Sequence, residues 1–183
     1  ALAVKDACES SGIDPETLDF IIVGHNFGDT LAGSSRVDTL PGLANRVKTK
    51  LHIKNPYCIV HDVISGCPGW TQAMIIADAY IKSQMFKRGV VVGADVLSRI
   101  SDPHDRDSMI YADGAAATIV EAVESDEPVG ILSHSSRSDV GATTGYLAFG
   151  PSFNPEADQS ELYIKMAGHK VYVRSEERRV GKE

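Results

Sequence analysis

Three short runs, Phe20-Ile21-Ile22-Val23, Cys58-Ile59-Val60 and Val90-Val91-Val92, are rich in β-branched residues and bounded by Gly, Asp or His. Apolar runs of this length with no polar interruption suit strands buried on both faces, as in a parallel sheet. Between them the spacing changes. Leu40, Leu43, Ala44, Val47 and Leu51 recur at helical intervals and predict an amphipathic helix over 40–51. Trp70, Ala73, Met74, Ala77, Tyr80 and Ile81 do the same over 70–81. Ahead of the first strand, Leu2-Ala3-Val4, Ala7-Cys8 and then Ser10-Ser11-Gly12 read as the last turns of a helix stopped by glycine. Strand and helix in alternation is the βαβ rhythm of an α/β fold with right-handed crossovers.

From Ala115 the rhythm breaks. Ala116-Ala117-Thr118-Ile119-Val120 and Val129-Gly130-Ile131-Leu132 are separated by a polar stretch that includes Glu124–Pro128. That spacing predicts a hairpin, and so a mixed, mostly parallel sheet with helices on both faces. Residues 138–160, rich in Gly, Ser, Thr, Asp and Pro, read as a long loop. The final segment, 174–183, carries seven charged side chains. It reads either as a solvated tail or as sequence beyond a fold that stops near Val173. A chain that opens at Ala1 inside a helical pattern is expected to be a fragment.

Composition narrows the class. With 183 residues the chain has the length of about one domain. Lys and Arg number 18 against 25 Asp and Glu, a net charge of −7. This acidic balance argues against a nucleic-acid scaffold or a polybasic membrane binder. No apolar run approaches the ~20 residues of a membrane-crossing helix. Three cysteines form no disulfide framework, and the odd count favours free thiols in a reducing cytoplasm. The six histidines and three cysteines show no zinc spacing, so no metal is expected.

One segment concentrates chemistry: His61-Asp62-Val63-Ile64-Ser65-Gly66-Cys67-Pro68-Gly69-Trp70. A strand is predicted to end near Val63, small residues turn sharply, and a helix begins with Pro68 at its first position, where a missing N–H costs nothing. Cys67 then stands at a helix N-terminus, where unpaired N–H groups and the helix dipole favour a thiolate. The alternative is that Cys67 is a small buried hydrophobe, the reading given to Cys8 and Cys58. Ser65-Gly66-Cys67-Pro68-Gly69 also approaches the nucleophile elbow of α/β-hydrolases. That elbow uses the backbone N–H of the residue after the nucleophile, and Pro68 has none. The chemistry therefore favours an enzyme whose oxyanion hole uses the N–H of the cysteine itself.

The stretch Asp62–Trp70 resembles the active-site segment of β-ketoacyl-[acyl-carrier-protein] synthase III, a condensing enzyme of the thiolase superfamily. The likeness continues through Ala77–Ser83, Val91–Arg99, Asp102-Pro103-His104-Asp105-Arg106 and Tyr111-Ala112-Asp113-Gly114-Ala115. It extends more weakly to Ala1 and to Met166–Tyr172. It implies a thiolase-like fold, with residues 1–173 forming the N-terminal half of a five-layer αβαβα architecture and 174–183 lying outside it.

By the same resemblance, Cys67 takes an acyl group from acyl-CoA and passes it to malonyl-ACP after decarboxylation, with its own N–H in the oxyanion hole. Arg106 contacts the coenzyme A head, against the alternative of a solvated charged turn over Asp102–Asp107. Leu40 stands where the family has an aromatic reaching into the partner subunit's acyl pocket, and Tyr111 matches a pocket-wall aromatic. Asp113-Gly114 corresponds to a tight turn beneath the site. Implied partners are acyl carrier protein, acyl-CoA and a second subunit in a homodimer, in the cytoplasm, with no nucleic acid, no membrane and no resident cofactor. The family's decarboxylating His and Asn lie in a second half, so the chain by itself is expected to be inactive. His169 does not replace that base. His25 and His61, near predicted strand ends, read as structural rather than catalytic histidines. Other readings are a thiolase or hydroxymethylglutaryl-CoA-synthase-like enzyme, a cysteine α/β-hydrolase, or a non-catalytic dimerising fragment.

Overall fold

The computed structural model describes residues 1–31, 36–138 and 140–179, with the backbone alone for 174–179. The elements are α1 (Leu2–Ser11), β1 (Phe20–His25), two two-residue strands β2 (Asp29–Thr30) and β3 (Val37–Asp38), α2 (Leu43–Lys50), β4 (Ile59–Ile64), α3 (Gly69–Lys82), β5 (Arg88–Val96), β6 (Asp113–Glu121), β7 (Leu147–Gly150), β8 (Tyr163–Met166) and α4 (Gly168–Arg179). They fall into two compact units. The first comprises Ala1–Asp29, Val37–Asp95 and Asp113–His134; the second comprises Thr30–Arg36, Val96–Ala112 and Ser135–Glu183.

The first unit is built on a four-stranded sheet in the order β4-β1-β5-β6. β1 pairs in parallel with both β4 and β5, with His25 opposite Ile64 and Gly24 opposite Gly93. β6 runs the other way, because its end meets the start of β5: the Ala122 N–H donates to the Lys87 carbonyl at 2.7 Å. The sheet is therefore mixed and mostly parallel. Central position explains why β1 is buried along its whole length, while β4, at an edge, is only half-buried. Ile21, Val23, Val90 and Val92 face one layer with Val4, Cys8, Ala44 and Val47 from α1 and α2. Phe20, Ile22 and Val91 face the other, against Ala73, Met74 and Ala77 of α3. Alternate residues of one strand thus feed two cores, which is why the run had to be apolar throughout.

α1 ends where the sequence predicts, at Gly12, whose left-handed φ of 68° lets its N–H close the last turn. Other expectations need correction. α2 begins at Leu43 rather than at residue 40, with Gly42 as its cap. Val129–Leu132 forms no strand; Val129 and Leu132 are exposed and only Ile131 packs on the core. The predicted hairpin is absent, and the antiparallel member of the sheet is β6 itself. Asp113-Gly114 opens β6 instead of making a tight turn.

In the second unit, the stretch read as a loop over 138–160 contains β7, which pairs antiparallel with β8. Polar, glycine-rich sequence hid that strand, since Leu147-Ala148-Phe149 is a short apolar island. The boundary expected at Val173 falls within α4, and residues 180–183 of the charged segment lie outside the described residues. No helix among the described residues is long and apolar enough to cross a membrane.

Candidate active site at the carboxyl ends of the parallel strands

The parallel register brings the ends of β1 and β4 and the Asp95 end of β5 to one edge of the sheet, the edge at which open α/β sheets gather ligands. Beyond Ile64 the chain turns through Ser65 and Gly66, whose φ of 62° belongs to the left-handed region that favours glycine. The Gly66 carbonyl accepts from the Gly69 N–H at 2.9 Å and closes the turn. Cys67 is exposed there, whereas Cys8 and Cys58 are buried.

The turn is pinned from below by close backbone approach. A Cβ on Gly69 would lie 3.1 Å from the His25 nitrogen, and one on Gly93 would lie 3.2 Å from the Trp70 Cβ. α3 consequently starts at Gly69, with Pro68 as its cap at φ −80° and ψ 13°. Pro68 is one position earlier than predicted, and Cys67 stands just outside the helix rather than at its cap.

Asn26, the residue after β1, fixes a second side of this edge. Its backbone N–H and its Nδ2 donate to the two carboxylate oxygens of Asp95 at 2.9 and 2.7 Å. Its Oδ1 lies 3.7 Å from where a Gly66 Cβ would stand. This pairing closes 69 residues of sequence, and no local pattern announces it.

His25 is fully buried at the end of β1. Its Nδ1 accepts from the Gly28 N–H at 2.7 Å, which leaves the proton on Nε2, facing Asp62 Oδ2 at 3.2 Å. Asp62 in turn accepts from the Leu43 and Ala44 N–H groups at 2.7 Å each, capping α2 from a neighbouring strand. Burial pushes the Asp62 carboxyl up, but His25 and those two amides outweigh it and hold it below the usual carboxylate range. Gly28 satisfies Nδ1, whereas the buried Nε2 makes no hydrogen bond of good geometry despite its approach to Asp62. His61 lies in the middle of β4, not near its end, and packs edge-on against Tyr80. Burial lowers its pKa, with Asp62 partly opposing.

Leu40 lies in the first unit, ahead of α2, and is 84% exposed. Arg106 and Tyr111 lie in the second unit. Arg106 opens a 3₁₀ turn over Arg106–Ile110, capped by Asp105, whose carboxylate accepts from the Asp107 N–H at 2.9 Å. Its side chain is 93% exposed. Tyr111 follows the turn, half-buried, with its N–H donating to the Ser108 carbonyl.

The segment carrying Arg106 is anchored by Asp102, part of the stretch for which a solvated charged turn is the alternative reading. Asp102 is fully buried and accepts from the His104 N–H, the Phe153 N–H and the Ser152 hydroxyl at 2.8–3.0 Å, and from Lys165 Nζ. Lys165 also lies 3.6 Å from Asp105 Oδ2 and 3.7 Å from the centre of the Phe153 ring. Burial works against the Asp102 charge. Lys165, the two amides and the hydroxyl overcome it and hold the carboxyl far below its ordinary value. Nothing in Asp102–Asp107 taken alone distinguishes this from a solvated turn.

Residues 61–140 match the family described as 3-Oxoacyl-[acyl-carrier-protein (ACP)] synthase III. A relative named Beta-ketoacyl-[acyl-carrier-protein] synthase III from Salmonella typhi is 36% identical over 171 residues, covering 93% of this chain and 49% of its own length. The chain is similar to 3-oxoacyl-[acyl-carrier-protein] synthase III proteins over the half of their length that it spans. Among solved structures, the β-ketoacyl-[acyl carrier protein] synthase III of Thermus thermophilus is 27% identical with a TM-score of 0.71, covering 93% of this chain and 50% of that one. The 3-oxoacyl-(acyl carrier protein) synthase III of Pseudomonas aeruginosa PAO1, at 22% identity, shares the fold with a TM-score of 0.71, covering 94% of this chain and 49% of that one. The synthase III match spans Cys67, Arg106 and Tyr111, whereas Leu40 precedes it. The chain spans about half the length of the curated relatives it matches.

Proposed function

We propose that this chain supplies the nucleophile of an acyltransferase that condenses an acyl group with malonyl-ACP in fatty-acid or polyketide synthesis. Residues 1–173 act as the N-terminal thiolase-like half of that enzyme, with 174–183 outside it. The Cys67 thiolate attacks the carbonyl carbon of an acyl-CoA; the carbon–sulfur bond to coenzyme A breaks, and coenzyme A leaves as a thiolate that takes up a proton. Loss of CO2 from malonyl-ACP then yields a carbanion that attacks the acyl-Cys67 thioester. Ketoacyl-ACP forms and the Cys67 thiolate is released.

The observation that carries this reading is the exposed Cys67 on a strand-to-helix turn, in a chain whose other thiols are buried. Pro68 offers no N–H, so the developing oxyanion is served by the Cys67 amide. The same feature argues against a hydrolase elbow. Arg106, exposed on a turn anchored by Asp102, binds the coenzyme A head, where a planar cation can stack on adenine and pair with phosphate. Leu40 enters the acyl pocket of a second copy in a homodimer, and Tyr111 walls the pocket. Acyl-CoA and malonyl-ACP are substrates, and no cofactor is resident. The three free thiols fit work in the cytoplasm.

The test is the intact protein with acyl-CoA and malonyl-ACP, following ketoacyl-ACP by mass spectrometry. Product that disappears in Cys67→Ala supports the assignment. Product that persists in Cys67→Ala contradicts it.

A further inference from the structure

A single exposed leucine is ordinary and by itself says nothing. What sets Leu40 apart is the backbone that carries it. One guanidinium, that of Arg46 in the first turn of α2, reaches the preceding segment at several points. Its Nε donates to the Pro41 carbonyl at 2.8 Å and its Nη2 approaches the Leu40 carbonyl at 3.5 Å. The same group pairs with Asp38 Oδ2 at 2.9 Å and with Asp29 Oδ2 at 3.2 Å. Asp38 closes the arrangement on the other side, its Oδ1 facing the Leu40 N–H at 3.4 Å. The Arg46 side chain is only 23% exposed.

The clamp has a rigid base. α2 is seated in the core through Ala44 and Val47, and its first amides are held by Asp62. The hydrogen bond from Arg46 draws the Asp38 carboxyl below its ordinary value. Five donors in a fixed fork allow such a group to hold two carboxylates and two carbonyls at once. A lysine, with a compact charge on a flexible stem, cannot reproduce that pattern.

We propose that Arg46 is a positioning residue that fixes the direction in which Leu40 is presented and thereby sets the acyl-chain length the site accepts. The proposal rests on Leu40 as the acyl-pocket residue. Arg46 is assigned no contact with Cys67 or substrate. It acts only through the Asp38–Pro41 backbone.

The experiment compares Arg46→Gln, Arg46→Lys, Asp38→Asn and Leu40→Trp in the intact protein, by amide hydrogen exchange over 37–42 and by the ratio of kcat/KM for acetyl-CoA and octanoyl-CoA. Loss of charge-assisted hydrogen bonds should speed exchange over 37–42 about tenfold in Arg46→Gln. The chain-length ratio should shift about tenfold, mainly through KM. Arg46→Lys should not restore it, and the milder Asp38→Asn should move both readouts in the same direction. Unchanged exchange in Arg46→Gln overturns the clamp. A ratio moved by Leu40→Trp but not by Arg46→Gln overturns the role of Arg46 alone. A ratio moved by neither overturns the Leu40 reading and the proposal with it.

Discussion

At the end of β1 the Gly24 backbone lies directly against that of Gly69: a Cβ on Gly24 would stand 2.3 Å from the Gly69 carbonyl carbon and 2.6 Å from the Trp70 nitrogen. This contact sets where α3 starts, and so where Cys67 stands. Gly24→Ala places a methyl group inside neighbouring backbone, which cannot yield as a flexible side chain would. Overpacking costs about 1–3 kcal/mol where the neighbours can shift, and here the loss should lie at or above the top of that range. Chemical denaturation of Gly24→Ala checks it, and the start of α3 should move with it in the slowed alkylation of Cys67.

The three cysteines should differ sharply in reactivity. Burial pushes the Cys8 thiol up with Asp14 adding to it, and burial pushes Cys58 up against the opposing effect of Lys48. Cys67 is exposed on its turn. Iodoacetamide followed by peptide mass spectrometry at neutral pH should modify Cys67 first, by roughly a hundredfold or more, since the buried thiols react only on opening. Faster modification of Cys8 or Cys58 in folded protein would remove the physical basis of the nucleophile assignment.

Asp102 should make the second unit acid-sensitive. Its carboxyl is held far below the ordinary value, so its stabilising contribution is fully present above the unfolded pKa of ~3.9 and fades as pH falls below it. Asp102→Ala leaves Lys165 and three donors without their acceptor. Removing one partner of a buried pair costs about 3–5 kcal/mol, and Asp105 at 3.6 Å from Lys165 should keep the loss near the lower end. Thermal unfolding of both proteins between pH 3 and 7 tests this: the variant should be less stable at pH 7, with the difference narrowing toward pH 3.

The legible and illegible parts of this molecule divide by the reach of the interactions. Gly12 stops α1 through a local backbone conformation, and the spacing of Ala73, Met74 and Ala77 marks α3 through a local period. Both can be read from neighbouring residues. The cap of α2 comes from Asp62, 19 and 18 residues away from the amides it holds, and the anchor of the Arg106 turn comes from Ser152, Phe153 and Lys165. A window of sequence contains only one partner of each such pair. Val129–Leu132 failed in the opposite sense: an apolar run does not by itself make a strand, and only Ile131 of this one packs on the core.

Leu40→Trp should alter acyl preference in the intact protein. A larger ring at the same exposed position shortens the space left for a chain in any pocket it enters. Rates with acetyl-CoA and octanoyl-CoA should diverge from the parent in favour of the shorter substrate. An unchanged profile would count against Leu40 lining an acyl pocket.

Under the proposed function, Cys67 carries the acyl group. Incubation of the intact protein with octanoyl-CoA, followed by intact-mass and peptide analysis, measures this directly, because a thioester on cysteine adds one acyl mass and is released by neutral hydroxylamine. A single hydroxylamine-sensitive adduct is expected on the peptide containing Cys67, absent in Cys67→Ala. An adduct that persists in Cys67→Ala, or that maps to Cys8 or Cys58, would contradict it.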